Sequence, residues 1–270
     1  MSSLAVAQFA PGDDTAANLA EIRRLAAIAV ARGASLVVFP EYSSFFEAEL
    51  GEASLAGAEP LDGPFVTALG ELAAELGTHL IAGVLETADA THVRNTLVAL
   101  SPAGRLVATY RKLHLYDAFG QRESDRVRAG ELETPQTFEW EGFTVGLQTC
   151  YDIRFPEVTR RLVDAGADLV LVPAEWVRGP LKEHHWRTLV TARAIENTIY
   201  VAAADHAPPI GVGNSMIVDP MGVELATIGE EAGVVAVAQL SRERLAEVRG
   251  RNPALALRRF GVVPLEPGPL

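Results

Sequence analysis

Short apolar runs alternate with longer amphipathic stretches along nearly all of the 270-residue chain, and hairpin turns interrupt the alternation. Runs of four to eight β-branched and aliphatic residues are strand-sized, whereas apolar positions spaced three and four apart over a dozen or more residues are helical. Residues 4–9 read as a strand and 15–31 as a helix closed by Gly33; 36–39 is a strand stopped by Pro40. Asp62-Gly-Pro64 opens a second helix, with proline in its first turn. Strands follow at 79–85, 95–100 and 106–110, the last two joined through Ser101-Pro-Ala-Gly104. The second half repeats the theme, with strands at 143–148, 168–172 (ended by Pro173) and 198–204 and helices at 155–164 and 181–196. A meander at 215–218, 223–227 and 234–238 leads to a helix capped by Ser241. Alternation with hairpins mixed in predicts α/β architecture built on two mixed sheets covered by helices, not one parallel sheet. No low-complexity linker divides the chain, so residues 1–260 are expected to form one domain and 261–270 an irregular, proline-rich tail.

Composition narrows the function. Twenty-three basic against 35 acidic residues give a net charge of −12, which disfavours nucleic acid as a partner because phosphate binding requires a basic surface. No apolar run reaches the length of a membrane span, and the N-terminal ten residues carry no basic leader, so neither membrane nor export is expected. The one cysteine, Cys150, cannot form an intrachain disulfide and fits a reducing compartment, with the cytoplasm as the default. No cofactor or metal is expected. His184 and His185 are adjacent and point to different faces of a helix, no H-E-x-x-H occurs, and Gly211-x-Gly213 lacks the third glycine of a nucleotide loop.

Three reactive side chains sit where strand ends meet loops. Glu41 follows Val-Val-Phe-Pro, Lys112 follows Ala-Thr-Tyr-Arg, and Cys150 follows Gly-Leu-Gln-Thr. In α/β folds the carboxyl ends of strands open into the ligand crevice, so these three can converge. A thiolate is a strong nucleophile, a carboxylate in a dry pocket can move its proton, and an ammonium stabilises an oxyanion. Taken singly, each has a plainer reading: a buried small hydrophobe for Cys150, a solvated or capping side chain for Glu41, and an exposed edge for Lys112.

Their surroundings decide between the readings. Val-Val-Phe-Pro-Glu41, Tyr110-Arg-Lys112-Leu-His-Leu-Tyr116 and Cys150-Tyr-Asp-Ile-Arg154-Phe-Pro-Glu157 occur in this order. Pro173-Ala-Glu-Trp176, His185-Trp-Arg-Thr-Leu189, Ala192-Arg-Ala-Ile-Glu-Asn197 and Gly213-Asn-Ser215 follow, with Asp219-Pro beyond them. Together they resemble the signature segments of the nitrilase, or carbon–nitrogen hydrolase, superfamily from the first strand to about Phe260. The resemblance implies a four-layer α-β-β-α sandwich and a triad carried by Glu41, Lys112 and Cys150. It also implies a second glutamate, best matched by Glu123, that positions the lysine and substrate. The backbone N–H of Tyr151 would complete the oxyanion site, and a homodimer or larger homo-oligomer is implied.

Cys-Tyr-Asp-Ile-Arg-Phe-Pro-Glu, with Pro-Ala-Glu-Trp downstream, looks most like the omega-amidase and deaminated-glutathione amidase branch, which acts on small 2-oxo acids. Arg154 is then the first candidate for a substrate carboxylate, against a structural ion pair with Asp152 or Glu157, and Trp176 would wall the pocket. Simple amides, N-carbamoyl amino acids and nitriles remain alternative substrates. Where relatives carry Asn and a glycine-containing loop, this chain has Asp205-His-Ala-Pro-Pro209, read as a border of the entrance. A Cys–His mechanism through His114, His184, His185 or His206 lacks a recognisable spacing to Cys150. A catalytically silent binding protein of this fold would be expected to have lost one of the three triad residues.

Overall fold

The computed structural model describes residues 1–265. Its first half is built from β1 (Ser2–Gln8), α1 (Thr15–Ala31), β2 (Leu36–Val38), α2 (Glu52–Gly57), α3 (Pro64–Leu76), β3 (His79–Thr87), β4 (Val93–Leu100) and β5 (Leu106–Arg111). The second half comprises β6 (Thr137–Trp140), β7 (Phe143–Leu147), α4 (Pro156–Asp164), β8 (Leu169–Ala174), α5 (Lys182–Asn197), β9 (Tyr200–Asp205), β10 (Met216–Val218), β11 (Glu224–Thr227), β12 (Val234–Leu240) and α6 (Arg242–Arg251). Two six-stranded sheets result, ordered β12-β1-β2-β3-β4-β5 and β11-β10-β9-β8-β7-β6. In each, parallel central strands are flanked by antiparallel ones, which makes both sheets mixed.

Side-chain alternation sorts the strands into layers. Leu4, Val6, Leu36 and Val38 face Trp140, Val145, Leu169 and Leu171 between the sheets, while Ala5, Ala7 and Val37 face α1 and α3. On the other sheet, Val170 and Val172 face Trp186 and Val190 of α5. Both faces of the inner strands are therefore dry, and they read as continuous apolar runs, as parallel strands do. The outcome is the four-layer α-β-β-α sandwich.

Three details depart from the sequence reading. Residues 137–140 form edge strand β6, and 52–57 form the short helix α2; neither was expected. Strand β8 also runs through Pro173 to Ala174 instead of stopping before it. In a parallel strand successive residues direct their backbone groups to opposite sides. The Ala174 carbonyl accepts from His206 N–H on the β9 side, so Pro173 presents its nitrogen to the other side, beyond the end of β7 at Leu147. Among the described residues, no ladder partner exists there to miss the absent N–H. The expected tail is irregular through Leu265; residues 266–270 lie outside the described residues. Among the described residues, no helix is long and apolar enough to cross a membrane.

Candidate active site

Glu41 and Cys150 both stand on sharp turns at strand ends. Tyr42, directly after Glu41, has φ 53°, and Cys150 itself has φ 44°. Both angles lie in the left-handed region, which costs a non-glycine residue on the order of 1–3 kcal/mol and persists only where the surroundings enforce it. Gly83 of β3 is one enforcer: a Cβ there would sit 2.5 Å from the Tyr42 nitrogen and 2.6 Å from the Glu41 Cα. Asp152 is another. Fully buried, it accepts from Tyr110 Oη (2.7 Å) and His114 N (2.9 Å), contacts His114 Nδ1 (2.8 Å), and so ties the Cys150 turn to the segment that carries Lys112. From behind, Arg193 of α5 donates its Nε to the Ile153 carbonyl at 3.0 Å.

The structure brings Glu41, Lys112, Glu123 and Cys150 into one cavity of about 780 Å³. Lys112 Nζ lies 3.0 Å from Glu41 Oε1 and 2.8 Å from Glu123 Oε2. Asn95 Nδ2 also donates to both carboxylates, at 2.6 Å to Glu41 and 3.1 Å to Glu123. The second Glu41 oxygen accepts the Glu175 N–H at 2.6 Å. Glu123 is held further by Tyr42 Oη (2.7 Å) and the Tyr116 N–H (2.6 Å). Cys150 is 5% exposed, and its Sγ–H donates to the Glu175 carbonyl at 3.4 Å.

Burial and neighbouring charge set the protonation states. Burial lifts Glu41 above the usual carboxylate range, with the nearby Glu123 charge adding to the lift and Lys112 opposing it. Burial acts on Glu123 in the same sense, but its contacts with Lys112 outweigh it and hold Glu123 below that range. For Lys112 burial disfavours the ammonium, yet Glu123 and Glu41 together hold it charged well above its ordinary value. Burial and the Glu41 charge push the Cys150 thiol well up, so the resting sulfur is protonated and needs a base to become a nucleophile.

His206 is buried behind Glu41, with Nε2 2.6 Å from the Glu41 carbonyl, and burial lowers its pKa to about 4. Since a carbonyl only accepts, the neutral ring carries its proton on Nε2 and props the turn. Asp205 is likewise buried and accepts the Trp176 N–H at 2.7 Å. The segment read as a border of the entrance thus has Asp205, His206 and Ala207 packed behind the site, and Ile210, just past it, reaches the cavity wall.

Tyr151 and Trp176 also line the cavity. Arg154, the first candidate for a substrate carboxylate, is not among the cavity-lining residues and makes neither alternative ion pair, with Asp152 or Glu157. Its guanidinium packs 4.8 Å from the Trp176 ring centre and 3.4 Å from His185 Nδ1. Several cavity residues were not foreseen, namely Glu175, Lys182, Tyr116 and the 47–50 segment, nor was Asn95, which donates to Glu41 and Glu123. Among the described residues, no cluster of His, Cys, Asp and Glu has metal-holding geometry.

Residues 3–250 match the family described as Carbon-nitrogen hydrolase. The chain belongs to the carbon–nitrogen hydrolase family. It is 41% identical, over 95% of its length and 97% of the relative's, to a deaminated glutathione amidase of Escherichia coli O157:H7. To Omega-amidase NIT2 of Xenopus tropicalis it is 31% identical, over 97% of each chain. Among solved structures it resembles XC1258 of Xanthomonas campestris, a CN-hydrolase superfamily protein with an arsenic adduct in its active site. That match has a TM-score of 0.85 and 30% identity over 97% of this chain and 99% of the other. The protein is accordingly a carbon–nitrogen hydrolase, and a buried cysteine in its cavity fits the nucleophile of such an enzyme.

Proposed function

We propose that this hydrolase cleaves the C–N bond of a small amide carrying a carboxylate, either the omega-amide of a 2-oxo dicarboxylate or deaminated glutathione, through a thioester on Cys150. The observation that carries the proposal is the Glu41–Lys112–Glu123 bridge inside the cavity that Cys150 lines. Of the two carboxylates, Glu41 is the exchangeable one. Glu123 is saturated by four donors and held ionised, whereas Glu41 is lifted towards neutrality, which suits a group that takes and returns a proton.

Glu41 accepts the Sγ proton as sulfur adds to the amide carbonyl carbon. Lys112 Nζ and the Tyr151 N–H stabilise the resulting oxyanion. Glu41 passes its proton to nitrogen as the C–N bond breaks, and ammonia or an amine leaves. Water then gives a proton to Glu41 and its oxygen to the thioester; C–S cleavage returns that proton to sulfur and releases the acid. Amide and water become acid and amine, with the enzyme unchanged. Glu123 acts as a positioning residue for Lys112.

The names of the two relatives support the substrate class, as does the cavity wall formed by Trp176 with Lys182 over its ring. We also infer a homodimer or larger homo-oligomer, after the family resemblance, and a cytoplasmic location, after the lone cysteine. Product release measured against 2-oxoglutaramate, deaminated glutathione, simple amides, N-carbamoyl amino acids and a nitrile tests the substrate class. Preference for the first two is expected. Activity confined to nitriles would overturn the substrate and leave the nucleophile standing.

A further inference from the structure

Lys182 is the first residue of α5 and only 6% exposed, yet it makes no ion pair among the described residues. Buried lysines are rare unless paired, because removing an ammonium from water is costly. Its placement adds to that cost, since a cation at a helix N-terminus opposes the helix dipole. What surrounds it is aromatic: Nζ lies 4.9 Å from the ring centres of Tyr116, Phe119 and Trp176, and 3.1 Å from Tyr116 Oη. The backbone is pinned, with Trp176 Nε1 donating to the Lys182 carbonyl at 2.9 Å.

Arg154 packs on the same Trp176 and Phe119 rings, at 4.8 and 5.8 Å, and likewise has no carboxylate partner among the described residues. Two cations therefore share one aromatic wall, and neither has an ion-pair partner among the described residues. Burial and, more weakly, Arg154 lower the Lys182 pKa, while Cys150 and Glu175 oppose the shift. Glu175 itself is pushed well above the carboxylate range by burial and by Glu41, and it makes no ion pair with Lys182. Lys182 lines the same cavity as Cys150. A buried ammonium with no ion pair among the described residues, beside a reactive centre, is completed by an anionic ligand.

We propose that Lys182 is the specificity-determining anchor for the substrate's distal carboxylate, with its ammonium donating to that group while the amide lies at Cys150. The assignment rests on the reading of this cavity as the amidase active site. It adds a residue that neither the sequence motifs nor the Arg154 assignment supplied. It also defines the substrate by charge: an amide with a carboxylate at its far end is selected over a neutral amide of equal length.

The test compares kcat/KM for glutaramate, the monoamide of glutarate, with that for pentanamide in the wild type, Lys182→Met and Lys182→Arg. Loss of one charge-assisted hydrogen bond predicts that the glutaramate-to-pentanamide ratio falls about 10- to 100-fold in Lys182→Met, mainly through KM. Lys182→Arg, which keeps the charge, should restore most of it. A ratio that stays put overturns the proposal, whether both rates fall together or neither moves. Calorimetric titration with glutarate reads the same site without turnover: saturable binding to the wild type should weaken in Lys182→Met. Absent wild-type binding, or an unaltered Kd, also overturns it. Cys150→Ala run alongside keeps the two readings apart, because turnover retained there defeats the nucleophile and leaves the glutarate result intact.

Discussion

Glu41 and Glu123 share Asn95 and Lys112 but shift in opposite directions, because Glu123 receives more donors and its charge adds to the lift on Glu41. The second Glu41 oxygen has only the Glu175 N–H, whereas Glu123 is also held by Tyr42 and Tyr116. With Glu41 as the proposed base, active as the carboxylate, kcat/KM should rise with pH through a pKa above the ordinary carboxylate range. Lys112 lowers that pKa, so Lys112→Met should carry the rising limb to higher pH as well as depress the rate. A pH profile in which the limb stays fixed or moves down would contradict the assignment. Glu41→Gln keeps the shape of the side chain and removes the base; kcat/KM should drop about 10²- to 10⁴-fold, with thermal stability little changed. At this scale the sequence was informative for groups that follow strands and silent for groups within them. Glu41, Lys112 and Cys150 announce themselves as reactive side chains after apolar runs. Asn95 lies inside strand β4, where a polar residue reads as an outward position, and Lys182 reads as an ordinary charge at a helix start.

Strands and turns place these groups, and their packing tolerances are small. Gly83→Ala would force β3 against the Glu41–Tyr42 turn, so activity should fall further than melting temperature does. Rates and thermal unfolding measured on one preparation check this; equal losses would mean that the turn is merely structural. Asp152→Ala leaves the Tyr110 hydroxyl and the His114 N–H without their acceptor. Each unsatisfied buried group costs about 1–3 kcal/mol, and a lowered unfolding midpoint in urea should accompany lost activity. The elements that escaped the sequence reading share a physical cause. Four-residue β6 and six-residue α2 are too short to display a period. Pro173 is tolerated in β8 because its neighbour strand has already ended, a fact of tertiary pairing that no local pattern carries.

The whole molecule depends on the apolar layer between its sheets, and the site depends on that layer because its turns issue from both. Glu41 and Lys112 follow strands of one sheet, Cys150 follows a strand of the other, and Glu175 continues β8. Trp140, 1% exposed, spans the interface, and its Nε1 donates to Ser35 Oγ at 3.1 Å. Trp140→Ala should cost about 3–5 kcal/mol in chemical denaturation, as large core truncations do. The two-sheet architecture was readable from alternation and hairpins, since both are local. Which strand ends meet across the interface is not local, and only the motif order carried it. The central claim is that Cys150 forms the covalent intermediate, and mass spectrometry of acid-quenched reactions, on the intact protein and after digestion at low pH, tests it most directly. An adduct of the substrate's acyl mass should appear on the Cys150 peptide during turnover and vanish in Cys150→Ala together with activity. An adduct on another residue, or turnover that survives the substitution, would contradict the account.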